Sequence, residues 1–129
     1  SGMAERGGGR IVSIASDAAR VGSSGESVYA ACKAGVIAFS KTLAREHARQ
    51  GITLNVVCPG VTETGMLENF LEPAGDKEKL KTAFQRAVPM GRLGQPDDLP
   101  GAVLFFAGDD AAFVTGQVIS VSGGLTMHG

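Results

Sequence analysis

The sequence predicts an α/β protein that forms one half of a doubly wound parallel sheet. Three short runs rich in β-branched residues predict strands at residues 10–16, 52–58 and 117–121. A long helical pattern separates the first two runs. A strand, helix and strand in this order imply parallel strands with the helix packed on one face. Three parallel strands are half of such a sheet and leave one edge unpaired.

The first strand, residues 10–16, is apolar and ends at Ser16. Apolar residues then recur every three or four positions, which predicts a helix over residues 27–49. Gly51 follows this pattern and is placed to end the helix in a left-handed conformation.

The second strand, residues 52–58, is predicted to be buried and to stop at Pro59. The segment 61–90 has a different character, because threonine, glycine and proline residues break the apolar pattern. Within it, residues 76–86 form a charged amphipathic helix. We expect this segment to be a mobile lid over a substrate.

The last part of the chain predicts one more helix and the third strand. Pro96 and the two aspartates after it open a helix that runs toward Gly108, because carboxylates in a first turn satisfy free amides and suit the helix dipole. Residues 117–121 then form the last strand.

Composition and charge indicate a soluble globular protein whose partner is a small molecule. The 129 residues are 43% hydrophobic and 19% charged, and twelve basic against thirteen acidic residues leave a net charge of −1. No two basic residues are adjacent, so we expect neither a nucleic-acid nor a membrane partner. Without a secretory leader or a membrane-spanning apolar run, a cytoplasmic location is expected.

The cysteines and histidines predict no metal site. Cys32 and Cys58 are far apart, and His47 and His128 are equally isolated. In a reducing cytoplasm we expect both cysteines to be buried thiols.

Ser16, Tyr29 and Lys33 form a candidate acid/base group. Tyr29 and Lys33 are four residues apart near the start of the long helix, so both project from one face, and the preceding strand delivers Ser16 nearby. An ammonium beside a phenol stabilises the phenolate, which lets the phenol exchange its proton nearer neutral pH. The Ser16 hydroxyl is placed to bind a substrate oxygen that changes between carbonyl and alcohol.

A surface pair on an amphipathic helix, with Ser16 as a strand-end cap, would show the same spacing. The context favours an active site, because Ser16 precedes Tyr29 by thirteen residues and Asn55-Val-Val-Cys-Pro59-Gly60 follows the helix. In this order the residues resemble the short-chain dehydrogenase/reductase family. The resemblance continues over the rest of the chain, at Arg92, Gly94, Pro96, Thr115-Gly116-Gln117 and Gly123-Gly124.

The resemblance implies that residues 1–129 are the C-terminal half of a Rossmann fold and belong to an NAD(P)-dependent oxidoreductase. This enzyme would interconvert a secondary alcohol and a ketone by hydride transfer. Tyr29 would be the catalytic acid/base, Lys33 would activate Tyr29 and bind the nicotinamide ribose, and Ser16 would bind the substrate oxygen.

The resemblance also places cofactor contacts in the segment Pro59-Gly60-Val-Thr62-Glu-Thr64. The backbone near Thr62 and the Thr64 hydroxyl would meet the nicotinamide carboxamide. Pro59, with Gly60 beside it, would help to set which face of the ring is presented.

The family begins with a strand and a glycine-rich turn that binds the pyrophosphate, and this sequence contains no such unit. Gly7-Gly8-Gly9 stands before a strand rather than after one, and Gly22-Ser-Ser-Gly25 lacks the lysine of a P-loop. We therefore expect residues 1–129 alone to be inactive. The residue that distinguishes NAD from NADP would lie in the absent half, so either cofactor is expected.

Two enzymatic substrates and one non-enzymatic role remain open. The residues around Ser16 and the segment 44–47 resemble 2-hydroxycyclohexanecarboxyl-CoA dehydrogenases, which suggests a hydroxyacyl-CoA thioester. A 3-oxoacyl-(acyl-carrier-protein) reductase is the enzymatic alternative. A non-catalytic binding or assembly fragment is the alternative of another class.

The resemblance further implies a homo-oligomer, since relatives are commonly tetramers built on the long helix. Val36, Phe39 and Leu43 are candidates for that interface, and packing into the protein's own core explains them equally well.

Overall fold

A computed structural model describes residues 2–128 as a three-stranded sheet covered by helices. The strands are β1 (Gly9–Ile14), β2 (Ile52–Pro59) and β3 (Val118–Val121). They lie in the order β1-β2-β3, and both pairs are parallel. The predicted α/β class and parallel sheet are therefore confirmed, with strand ends within two residues of the predicted ones.

The helices of the described residues are of two kinds. The α-helices are α1 (Gly2–Glu5), α2 (Ala18–Val21), α3 (Ser27–His47), α4 (Gly65–Leu71), α5 (Lys77–Ala87) and α6 (Pro100–Ala107). Short 3₁₀ turns are formed by Ala48–Gln50, Pro96–Asp98 and Asp109–Ala111.

The end of α3 follows the sequence prediction closely. The helix passes into the 3₁₀ turn Ala48–Gln50, and Gly51 then adopts a left-handed φ of 72°. A Cβ atom on Gly51 would lie 2.5 Å from the carbonyl oxygen of Gly7. Glycine is therefore required here both by the backbone conformation and by the close approach of another chain segment.

Two helix predictions need correction. The helix expected from Pro96 toward Gly108 is split into a 3₁₀ turn and α6, because Pro100 has no N–H to continue the hydrogen bonds of the turn. The helix α4 was not predicted at all within the segment 61–90.

Strand β2 forms the centre of the core and is buried along almost its whole length. Its side chains alternate between the faces of the sheet, as strand geometry requires. Val56 and Cys58 pack with Ile37 of α3, whereas Val57 packs with Phe106 of α6. Helices therefore cover both faces of the sheet, as in a doubly wound arrangement.

The cysteine prediction is right for Cys58 and wrong for Cys32. Cys58 is fully buried in β2, but Cys32 is exposed on α3. Each helical residue is turned by about 100° from its neighbour. Cys32 is displaced by one such step from Lys33, whose side chain bonds to β1, so the Cys32 side chain points in a different direction and is exposed.

Candidate active site

Ser16 lies just beyond β1, in a segment that remains bonded to β2. The backbone N–H of Ala15 donates to Val57 at 2.9 Å, and that of Asp17 donates to Pro59 at 3.0 Å. The Ser16 Oγ accepts a hydrogen bond from the Ala18 N–H at 3.2 Å. The hydroxyl is thereby held in place while its own hydrogen stays available to a ligand.

Tyr29 and Lys33 lie one turn apart on α3. The Lys33 Nζ is 5.8 Å from the centroid of the Tyr29 ring, and it donates to the carbonyl oxygen of Ile14 at 3.1 Å. An ammonium has three donors, so two remain for a ligand. Tyr29 is 36% exposed, which leaves its ring open to the space in front of the sheet.

Four of the predicted cofactor residues, Pro59, Gly60, Thr62 and Thr64, lie at the carboxyl end of β2 or just beyond it. The N–H of Gly60 donates to Val121 at 3.0 Å, which ties this turn to β3. The Thr62 hydroxyl donates to the Gly60 carbonyl at 3.1 Å. The Thr64 Oγ1 accepts from the Leu67 N–H at 3.4 Å and so caps α4. The hydroxyl hydrogen of Thr64 remains free to be donated to a ligand.

One cavity of about 660 Å³ brings all the predicted site residues together. Ser16, Tyr29, Lys33, Pro59, Gly60, Thr62 and Thr64 all line it. Much of the remaining lining is apolar and comes from the predicted lid and its surroundings, at Val21, Met66, Leu67, Phe70, Phe84, Ala87, Leu99 and Leu125. The predicted lid segment thus borders the candidate site, while its mobility stays a prediction.

A polar link behind Ser16 was missed at the sequence level. Asp17 is buried and accepts a hydrogen bond from the Ser120 hydroxyl. Arg20 donates to the same hydroxyl at 3.0 Å and to the Val118 carbonyl at 3.4 Å. These bonds connect the segment that carries Ser16 to β3. An aspartate directly after a strand-end serine was the available signal.

Cys58 lies close to this polar link. Burial raises the pKa of the Cys58 thiol, and the nearby Arg20 guanidinium partly opposes that effect. A buried thiol with a raised pKa stays protonated near neutrality and is a poor nucleophile. Cys58 is therefore a packing residue beneath the site.

Glu63 was also missed, although it stands between two predicted cofactor residues. Its N–H donates to the Gly94 carbonyl at 2.8 Å, next to a parallel bridge that pairs Thr62 with Gly94. Hydrogen bonds from Lys81 and then Gln95 hold the pKa of Glu63 below its usual range. The carboxylate is thus charged and fixed beside the cavity.

Residues 2–128 contain no group of three or more histidine, cysteine, aspartate or glutamate side chains that could hold a metal ion. In the same part of the chain, no helix has the length and apolar character needed to cross a membrane.

The chain is similar to known proteins along nearly its whole length. The family model described as enoyl-(acyl carrier protein) reductase matches residues 1–126. The 3-oxoacyl-[acyl-carrier-protein] reductase of Vibrio cholerae is 41% identical over 126 residues, which cover 98% of this chain and 49% of that protein. The acetoacetyl-CoA reductase of Rhizobium meliloti is 43% identical over 124 residues, which cover 96% of this chain and 49% of that protein.

A solved structure agrees with these sequence matches. The crystal structure of levodione reductase superimposes with a TM-score of 0.90 at 33% identity, covering 95% of this chain and 48% of that one. The chain spans about half the length of the curated relatives that it matches. The family model, the fold and the relatives agree with one another, and the chain belongs to the short-chain dehydrogenase/reductase family.

Proposed function

We propose that residues 1–129 are the catalytic half of an NAD(P)-dependent oxidoreductase that interconverts a secondary alcohol and a ketone. One observation carries the proposal. A single cavity is lined by a phenol, an ammonium and a hydroxyl, from Tyr29, Lys33 and Ser16. Hydride transfer to a carbonyl needs a proton donor and a hydrogen-bond donor at the same oxygen, and these groups supply both.

The donor set of the cavity fits the nicotinamide riboside part of a dinucleotide. Lys33 has two free donors for ribose hydroxyls, and the Thr64 hydroxyl can donate to a carboxamide. The pyrophosphate requires the glycine-rich turn of the other half of the fold. We refer below to the complete enzyme, in which residues 1–129 are joined to a dinucleotide-binding half.

The reduction uses three side chains of this chain. The Tyr29 hydroxyl donates its proton to the substrate carbonyl oxygen, while the Ser16 hydroxyl donates a hydrogen bond to that oxygen. The positive charge of Lys33 stabilises the phenolate that remains on Tyr29. When bound, a nicotinamide dinucleotide supplies the hydride for reduction or accepts it in oxidation. In oxidation the Tyr29 phenolate removes the proton of the alcohol.

We further propose that the substrate is a hydroxyacyl or oxoacyl thioester. The lid contributes apolar side chains to the cavity, and Lys33 is the only basic residue among those that line it in the described chain. Such a lining favours an uncharged acyl group or ring rather than an anion. The reductases named above, one for an acyl carrier protein substrate and one for acetoacetyl-CoA, support the same substrate class.

The carrier of the acyl group is either coenzyme A or acyl carrier protein. The resemblance of the segment around Ser16 supports the coenzyme A thioester, and the Vibrio cholerae relative supports the carrier-protein form. Steady-state rates of the complete enzyme with one 3-oxoacyl group on each carrier separate the two. The carrier with the higher kcat/KM is the one that the enzyme recognises.

Tyr29→Phe in the complete enzyme tests the proposed chemistry. The variant keeps the ring and removes the exchangeable proton, so turnover should fall by about 10²–10⁴-fold while dinucleotide binding persists. Cofactor oxidation is followed by absorbance, and dinucleotide affinity by calorimetry. Near-normal turnover in the variant would exclude Tyr29 as the acid/base. No turnover in the unmodified complete enzyme would favour the non-catalytic fragment.

We also propose a cytoplasmic homo-oligomer, with a tetramer as the expected state. Phe39 is 63% exposed on α3 and is available to an interface. Leu43 packs against the cluster of Ala44, Ile52 and Leu54, so its contribution is to the core. Sedimentation of the complete enzyme and its Phe39→Ser variant tests the state and the surface.

A further inference from the structure

The predicted lid is held by a small apolar cluster and by polar contacts. Its helices α4 and α5 share a small cluster of their own, in which Leu67, Leu71 and Leu93 are buried and Leu80 and Phe84 pack against them. The contacts that connect this cluster to the segment carrying Thr62 and Thr64 include polar ones.

Glu63 is the centre of these polar contacts. The Lys81 Nζ of α5 lies 2.7 Å from one carboxylate oxygen of Glu63, and the Gln95 Nε2 donates to the other oxygen at 2.5 Å. The side chains of Lys81 and Glu63 are 27% and 37% exposed. Both charges are therefore partly shielded from water, which strengthens the pair relative to a fully exposed one.

Lys81 also contacts the other lid helix. Its Nζ lies 3.7 Å from the Glu68 carboxylate of α4. One ammonium thus connects α5, α4 and the segment between Thr62 and Thr64. An ordinary surface ion pair would join only two of these elements.

We propose that Glu63 and Lys81 form a latch that couples closure of the lid over the acyl group to the positioning of Thr62 and Thr64 against the cofactor. The inference rests on the proposed function. A thioester that packs against α4 and α5 favours the closed lid, and the closed lid holds Glu63 in place. Thr62 and Thr64 flank Glu63, so the Thr62 backbone and the Thr64 hydroxyl are ordered in the same step. The thioester and the dinucleotide then each increase the affinity for the other.

The lid supplies its own matched control. Lys77 and Glu72 form an ion pair at 2.5 Å between the end of α4 and the start of α5. This pair has the same charges and lies in the same segment, but it does not reach Glu63. Removing Lys77 changes the net charge as much as removing Lys81 and leaves the latch intact.

The test measures the coupling itself in the complete enzyme. Calorimetry gives the Kd of the dinucleotide with and without cyclohexanecarboxyl-CoA, a thioester that has no reacting oxygen. The thioester should raise the affinity for the dinucleotide about two- to fivefold less in Lys81→Met than in the unmodified enzyme, which is the range expected for a partly exposed ion pair. Lys77→Met and Lys81→Arg should keep the gain. In kinetics, Lys81→Met should raise KM and change kcat little.

Three outcomes would overturn the latch: equal coupling in Lys81→Met and the unmodified enzyme, an equal loss in Lys77→Met, or no coupling in the unmodified enzyme. None of them affects the assignment of Tyr29, which the Tyr29→Phe assay tests separately. If the Tyr29→Phe assay contradicts the role of Tyr29 but the thioester still raises the affinity for the dinucleotide, the latch proposal stands and the proposed chemistry is wrong.

Discussion

The scaffold formed by β1, β2 and α3 is built by different interactions from the predicted lid, residues 61–90, and the adjoining turn at 91–98. In the scaffold, parallel ladders and buried clusters of Val56, Cys58 and Ile37 fix the elements. The lid has a smaller cluster of its own, and ion pairs at least partly exposed to solvent connect its parts. We therefore expect the scaffold to be the rigid part and the predicted lid to be the part that opens at lower cost.

The candidate catalytic groups and the residues that would contact the acyl group lie in different parts of the molecule. Ser16, Tyr29 and Lys33 all stand on the scaffold, where their positions are fixed by strand ends and a long helix. Most of the apolar residues that would select the acyl group stand on the predicted lid. Chemistry needs a geometry held within fractions of an ångström, whereas substrate choice and release need a segment that moves.

The largest expected effect concerns residues 1–129 without the dinucleotide-binding half. Residues 1–129 as a separate polypeptide should show no NAD(P)-dependent turnover, although they carry the three candidate catalytic groups. Hydride transfer needs the nicotinamide fixed against the substrate carbon. In the described chain β1 is followed by Ala15-Ser16-Asp17 rather than by a glycine-rich turn for the pyrophosphate. A spectrophotometric assay and calorimetry with both dinucleotides check this.

The control supplies the dinucleotide-binding half in trans. Within the described residues β1 pairs only with β2, so its other edge is open to a further strand. Turnover should appear when the second half is added, and aggregation should decrease. Tight dinucleotide binding with turnover by residues 1–129 alone would show that the nucleotide site lies within this chain.

Lys33→Met in the complete enzyme should have the next largest effect. The Tyr29 phenolate loses its nearby positive charge, so kcat/KM should fall by about 10²–10⁴-fold at neutral pH and the rate profile should shift to higher pH. Dinucleotide affinity should fall as well, because two ammonium donors are lost. An unchanged pH profile would make Lys33 a surface residue that only bonds Ile14.

The scaffold and helix α5 of the predicted lid could be predicted from the sequence, whereas helix α4 and the polar contacts of the lid could not. Strands and a long helix have periodic signals, and the spacing of Ser16, Tyr29 and Lys33 is local to them. The pair of Glu63 and Lys81 joins residues 18 positions apart across two helices. No local pattern encodes such a contact, because it depends on how those helices pack.

Helix α4 was missed although two signals for it exist. Thr64 accepts from the Leu67 N–H as an N-cap, and Leu67 and Leu71 repeat at helical spacing. These signals were hard to recognise because Gly65 disfavours a helix and α4 is short. The polar link of Asp17 to β3 was missed for a different reason, since its partner Ser120 is 103 residues away.

Gly51→Ala tests how tightly the scaffold is built. At a left-handed φ of 72°, with a new Cβ 2.5 Å from the Gly7 carbonyl, it should lower the free energy of unfolding by about 2–5 kcal/mol. Gly7→Ala is the matched control, because Gly7 has the same φ of 72° and no atom within 4 Å of its Cβ position. Gly7→Ala should lower the free energy of unfolding by about 1–2 kcal/mol, because it introduces only the strain of the left-handed backbone conformation. If urea unfolding gave the same loss of stability for Gly51→Ala and Gly7→Ala, the close approach of the Gly7 carbonyl to Gly51 would be contradicted.

Asp98→Asn should have the smallest effect, because the pair that it breaks is exposed on the lid side. Arg92 binds both oxygens of Asp98, at 2.7 and 2.9 Å, and lowers the pKa of Asp98 from 3.8 to about 2. A depressed pKa means that the pair stabilises the fold above pH 3.8 and that this contribution is lost as the pH falls through about 2. The Tm of Asp98→Asn should therefore lie below that of the unmodified protein at pH 7 and converge with it near pH 2.

Asp97→Asn is the control, because the Asp97 side chain has no partner in the described part of the chain. A Tm difference that stays the same from pH 7 to pH 2 would show that the ion pair does not stabilise the turn.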